Sequence, residues 1–148
     1  MCVRLAGPAQ ALQEISRELL SKWPGEMLPD MEAQRVWSDL REFRWANAQG
    51  PLIKIVLTPA DFPALHRGLQ FLEGVQIHLS AGGNVAFVSL PGTAQIAVLD
   101  ELVRKLSLPG LTLRGAIPLW WGPQPRPKII QAVKRALDPE NRFPTLDE

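Results

Sequence analysis

Four basic side chains fall, by strand alternation, on one side of what reads as a single sheet: Arg4, Lys54, His78 and Arg114. Successive side chains of a strand point to opposite faces. Val75, Ile77 and Leu79 therefore oppose Gln76, His78 and Ser80, Val3 and Leu5 oppose Arg4, and Leu111 and Leu113 oppose Thr112 and Arg114. Lys54 joins the polar side because Ile53, Ile55 and Leu57 occupy the other. Converging cationic groups recognise anions, since charge-assisted hydrogen bonds are the strong ones. Any one of these residues alone is more often an ordinary member of a solvated sheet face; the cluster is what points to an anion site.

Other chemistry finds less support. A lone imidazole at position 78 makes a poor metal site, and His66, beside Leu65 on a helix, reads as a surface residue, so no metal is expected. The single cysteine, Cys2, excludes a disulfide framework and a cysteine zinc site. It lies on an early strand with no helix N-terminus to activate it. Ser80 and Ser89 lack a His–acid partnership. Gly82-Gly83 precedes a strand and so reads as a turn, not as a phosphate cradle.

The elements that must position these groups follow from periodicity and punctuation. Val3 to Leu5 reads as a short strand ending at Gly7. Pro8 suits the first turn of a helix carrying Leu12, Ile15 and Leu19, which ends before Pro24-Gly25. Residues 26–29 suggest another short strand. A helix is expected from about Met31 to Ala46, with Val36, Leu40 and Phe43 on its buried stripe and Trp37 and Trp45 on adjacent rows. Residues 52–57 form an apolar strand, and Thr58-Pro59-Ala60-Asp61 is a helix start for the stripe Phe62, Leu65, Leu69. Val75–Ser80 and Val85–Leu90 flank the turn Ala81-Gly82-Gly83-Asn84, which predicts a hairpin. A helix then carries Ile96, Leu99, Leu102 and Leu106, and Leu111 to Ile117 reads as a strand. Trp120 and Trp121 sit in a proline-rich loop, where they either pack under the last helix, about Pro127 to Leu137, or form a docking patch.

Residues 51–117 thus read βαββαβ, the ferredoxin-like split βαβ arrangement. The expected class is α+β: one mostly antiparallel sheet with helices on one face. Residues 1–50 are expected to add a βα(β)α extension to that sheet, and residues 118–148 the loop and final helix, making a single domain. At 148 residues, 46% hydrophobic and 21% charged, the chain has the profile of a globular protein. A net charge of +1 gives no general attraction to nucleic acid or anionic lipid. No apolar run reaches the length of a membrane span, and the N-terminus lacks a secretory signal core, so a cytoplasmic location is expected.

The run Ala132 to Phe143, with Lys134, Leu137, Asp138 and Pro139 in a "K-x-x-L-D-P" helix ending, resembles the end of FAD-linked oxidases of the vanillyl-alcohol-oxidase type. The segment Cys2 to Leu5 before a helix, the run Val36 to Glu42 with Trp37, Leu40 and Arg41, and the Pro51-to-Pro59 strand with its central Lys54 resemble one branch, the E subunit of bacterial glycolate oxidase. The resemblance covers essentially the whole chain, but only the C-terminal third or so of such a family member. The tail departs from the pattern at Phe143-Pro144-Thr145, where the family has "F-N-P-G". A family hairpin with metal-binding histidines would fall at Ser80 to Ala86, where both histidine positions hold other residues.

The resemblance implies a substrate-side cap domain of an FAD-dependent 2-hydroxy-acid oxidase, with the flavin-binding domain outside this chain and no catalysis by the chain alone. It implies that Lys54, His78, Arg114 and Arg4 line a pocket for the substrate carboxylate, with glycolate as the type substrate. The implied partners are an FAD-binding domain or subunit, a second flavin subunit and an iron–sulfur subunit. The competing expectation is a stand-alone ferredoxin-like module for small-molecule binding or oligomerisation, for example as a homodimer.

Overall fold

The computed structural model describes residues 3–123 and 127–142. Cys2 and the tail from Phe143 lie outside the described residues. The chain forms two compact units that divide between Glu42 and Phe43.

The first unit holds helices α1 (Ala9–Lys22) and α2 (Asp30–Arg41). Pro8 precedes α1, and Trp23 ends it in an extended conformation, as expected for a residue that precedes proline. Pro29 precedes α2, whose first turn carries Asp30 and Glu32 at the positive end of the helix dipole. Two expectations fail here. Residues 3–5 and 26–29 are not strands, and none of the described residues before position 52 joins the sheet. Gly7-Pro8 and Pro24-Gly25 leave apolar runs too short to form a ladder.

The second unit holds the sheet. Its elements are β1 (Leu52–Val56), α3 (Phe62–Leu69), β2 (Gln76–Ser80), β3 (Val85–Ser89), α4 (Ile96–Lys105), β4 (Gly110–Arg114), β5 (Trp120–Trp121) and α5 (Pro127–Leu137). The five strands run β2-β3-β1-β4-β5, every neighbouring pair antiparallel. From β1 to β4 this is the predicted ferredoxin-like α+β arrangement. Thr58 opens the way into α3 differently from a simple cap: its backbone N–H and hydroxyl both donate to Asp61 Oδ2, at 2.8 and 2.7 Å. Those bonds stabilise the carboxylate and lower the Asp61 pKa.

One face of the sheet carries the core. Ile53, Ile55 and Leu57 from β1 and its end, with Ala86, Val88 and Leu90 from β3 and its end, pack with Leu65 and Leu69 of α3 and Leu99 and Val103 of α4. Each of the valine, leucine and isoleucine side chains contributes about 1.5–3 kcal/mol by leaving water. Trp121 completes this core instead of packing under the last helix; none of the described α5 residues belongs to it. The expected loop tryptophans are thus a short edge strand. Trp121 Nε1 donates to Thr112 Oγ1 at 2.8 Å, which satisfies the indole within the core.

Candidate functional site

The opposite face is set by register. Lys54 pairs with Phe87 on one side and Leu111 on the other; Phe87 pairs with His78, and Leu111 with Trp120. Directly paired residues share a face. One row across all five strands therefore reads His78, Phe87, Lys54, Leu111, Trp120. The row is mostly apolar or aromatic, with one lysine at its centre.

Strand alternation alone misassigns β4. Ile53 pairs with Thr112, but Leu52 pairs with Arg114, so Leu113 is an extra residue in a β-bulge. Thr112 therefore lies with Ile53 on the core side, and Leu111 lies with Lys54, the reverse of the expected assignment. The bulge returns Arg114 to the Lys54 side.

Part of this face is covered by the segment that follows Glu42. The helix expected to reach Ala46 ends at Arg41, and Phe43 takes a left-handed conformation at φ 54. That turn releases Phe43 and Trp45 from any helical stripe. Phe43 meets Phe87 edge-on at 5.0 Å between centroids, and Trp45 lies 5.6 Å from His78. Phe43 to Trp45 at 6.3 Å and His78 to Phe87 at 6.2 Å close a circuit of four rings. Farther along, the Asn47 backbone N–H and Nδ2 donate to the buried Ser89 Oγ at 2.9 and 3.2 Å. Asn47 Nδ2 also donates to the Gly74 carbonyl at 3.1 Å.

The four predicted basic residues have separate fates. Arg114 donates from Nε to the Gly50 carbonyl and from Nη2 to the Asn47 carbonyl. It clamps the covering segment to the end of β4, with its guanidinium engaged by two backbone carbonyls. Arg4 lies in the irregular stretch before α1, in the other compact unit, and has no place on a strand. His78 is where alternation put it, but burial disfavours the imidazolium and lowers its pKa, so the ring is neutral at neutral pH. Lys54 is half-buried, and its ammonium makes no hydrogen bond or ion pair with the described residues.

The face thus offers one ammonium group, a neutral imidazole about 10 Å away across two strand spacings, and ring surfaces between and beside them. This arrangement can hold a small anion at Lys54 with a flat or apolar body against Phe87. Sequence reasoning missed Phe43, Trp45 and Phe87. Phe87 was within reach, since it alternates against Ala86 and Val88 in a strand already paired with His78. Among the described residues no cluster of His, Cys, Asp and Glu could hold a metal ion, and no helix is long and apolar enough to cross a membrane. No family model, curated protein or solved structure matches the chain.

Proposed function

We propose that this chain is the substrate-side domain of an FAD-linked 2-hydroxy-acid oxidase, with Lys54 as the ligand of the substrate carboxylate. The observation that carries this reading is the half-buried, partnerless Lys54 at the centre of a ring-lined sheet face. A lysine in that setting lacks the counter-charge that ordinarily accompanies burial. A carboxylate supplies it, and a 2-hydroxy acid such as glycolate is small enough to sit beside Phe87. The neutral His78 adds a donor and acceptor for a hydroxyl without competing for the anion.

The placing of FAD outside this chain is supported by the glycine pair. Gly82 and Gly83 belong to a single 3₁₀ turn that leads into β3, so no helix N-terminus follows them to hold a phosphate. In this reading FAD belongs to a partner domain or subunit and would supply hydride acceptance when bound. This chain's residues orient and neutralise the acid.

Titration with glycolate, followed by amide and side-chain NMR shifts, tests the proposal. Saturable shifts at Lys54, Phe87 and His78 are expected, and Lys54→Ala should abolish them. The absence of saturable shifts with glycolate, lactate and acetate alike would sink it. A visible spectrum after mixing with FAD and dialysis should be colourless; retained flavin would refute the assignment of FAD to a partner.

A further inference from the structure

We propose that the chain self-associates through the free edge of β2, as a two-fold dimer in which Gln76–Ser80 of two copies pair antiparallel about His78. The inference stands apart from the substrate-side reading and rests on the two edges of the sheet.

An edge strand presents unpaired backbone groups and invites another strand unless something blunts it. The β5 edge is blunted: it is two residues long and lies between Pro118 and Pro123. The β2 edge is not. It is five residues long and pairs in unbroken register with β3 from Gln76↔Ser89 to Ser80↔Val85. It contains no Lys, Arg, Asp, Glu or Pro and no bulge. Apart from the β3 ladder and the 3₁₀ turn that Ser80 opens, no hydrogen bond among the described residues involves positions 76–80. In an antiparallel strand alternate residues turn their N–H and C=O away from the neighbour. The outward groups of β2 therefore remain to be paired.

The sequence of the strand selects a second copy as occupant. Under a two-fold axis at His78, Gln76 opposes Ser80 of the second copy, Ile77 opposes its Leu79, and His78 opposes its His78. Opposed residues share a face, so both Ile77–Leu79 pairs extend the apolar row of the helix side. Gln76 and Ser80 form neutral polar pairs on the other side. A slip by one residue would set apolar against polar throughout. Phe71, in the turn before β2, is 83% exposed and adds apolar surface near the same end of the strand. Two five-stranded sheets would merge into one continuous sheet.

The test is light scattering of the full chain over a wide concentration range, with two double variants. The wild-type chain should reach twice the 16.4 kDa of one copy. Gln76 and Ser80 are exposed, so charges there are compatible with folding. Gln76→Lys with Ser80→Lys should weaken the dimer about tenfold, as like charges oppose each other at both ends. Gln76→Glu with Ser80→Glu should do the same, and an equal mixture of the two variants should dimerise again. In a Cys2→Ser background, His78→Cys should oxidise to a linked dimer. Ser80→Cys should not, because its two copies lie about 13 Å apart. A monomer at every concentration overturns the proposal, even one that captures an unrelated extended peptide. A dimer indifferent to the charge variants, or linked through Ser80→Cys, also overturns it.

Discussion

On the helix side of the sheet Ile53, Ile55, Ala86 and Val88 are aliphatic and fully buried. One residue along the same strands, on the other side, stand Lys54 and Phe87, with His78 beside them, and they are only partly covered. The first face is held by area removed from water, which is non-directional and large. The second is held by a few directed contacts: a four-ring circuit, Asn47 on Ser89, and Arg114 on two carbonyls. The difference teaches where to look for function. Substitutions on the first face should change stability alone, whereas those on the second can separate stability from binding.

The largest effect should come from the first face. Ile55→Ala removes a fully buried side chain from the central strand. A loss of about 2–5 kcal/mol is expected, read from the urea midpoint at unchanged slope. A smaller loss would mean that the core around β1 collapses to fill the gap.

On the second face Arg114→Ala should cost less, about 1–3 kcal/mol, because it leaves the Asn47 and Gly50 carbonyls without their donor. Its signature is local. Amide exchange should quicken in residues 43–50 while the β1–β3 ladder keeps its protection. Uniform loss of protection across the sheet would contradict the clamp assigned to Arg114.

The pH dependence of stability should isolate His78. Burial lowers its pKa in the folded chain, so below the usual value near 6.5 the unfolded chain binds the proton more readily. Stability is therefore full above about 6.5 and falls as pH drops through that value towards the folded pKa. The depressed Asp61 carboxyl gives a loss of the same sign, but only below about 4. Thermal melts between these ranges should show a decline in the wild type that His78→Phe, which keeps a ring between Trp45 and Phe87, removes. An identical decline in the variant would assign it to another group.

The same contrast explains what the sequence disclosed. The helix-side face obeys alternation and helical spacing, so β1, the β2–β3 hairpin, α3, α4 and α5 were legible from residues such as Ile53, Leu65 and Leu99. Lys54 and His78 were legible for the same reason. The other face depends on departures from periodicity. Phe43 continues a helical stripe in sequence, yet its positive φ ends the helix and turns its ring onto Phe87. The bulge at Leu113 exchanged the faces of Leu111 and Thr112. Trp120 and Trp121 form a strand only because Gly110 and Leu111 are there to pair with them. None of these tertiary contacts leaves a local signal.

The smallest effect on stability should come from Lys54→Met, and it is the most telling. Lys54 stands between Phe87 and Leu111 in the strand row, and a lysine so placed can lay its long apolar stem along its neighbours while its ammonium stays in water. Methionine keeps most of that stem and removes an ammonium that has no partner among the described residues, so stability should change by less than about 1 kcal/mol or rise. If Lys54 is the carboxylate ligand, the same substitution should abolish the glycolate-dependent shifts. Unchanged stability with lost binding would separate the two faces as proposed. A large loss of stability would instead make Lys54 a structural residue, held by contacts beyond its own strand row.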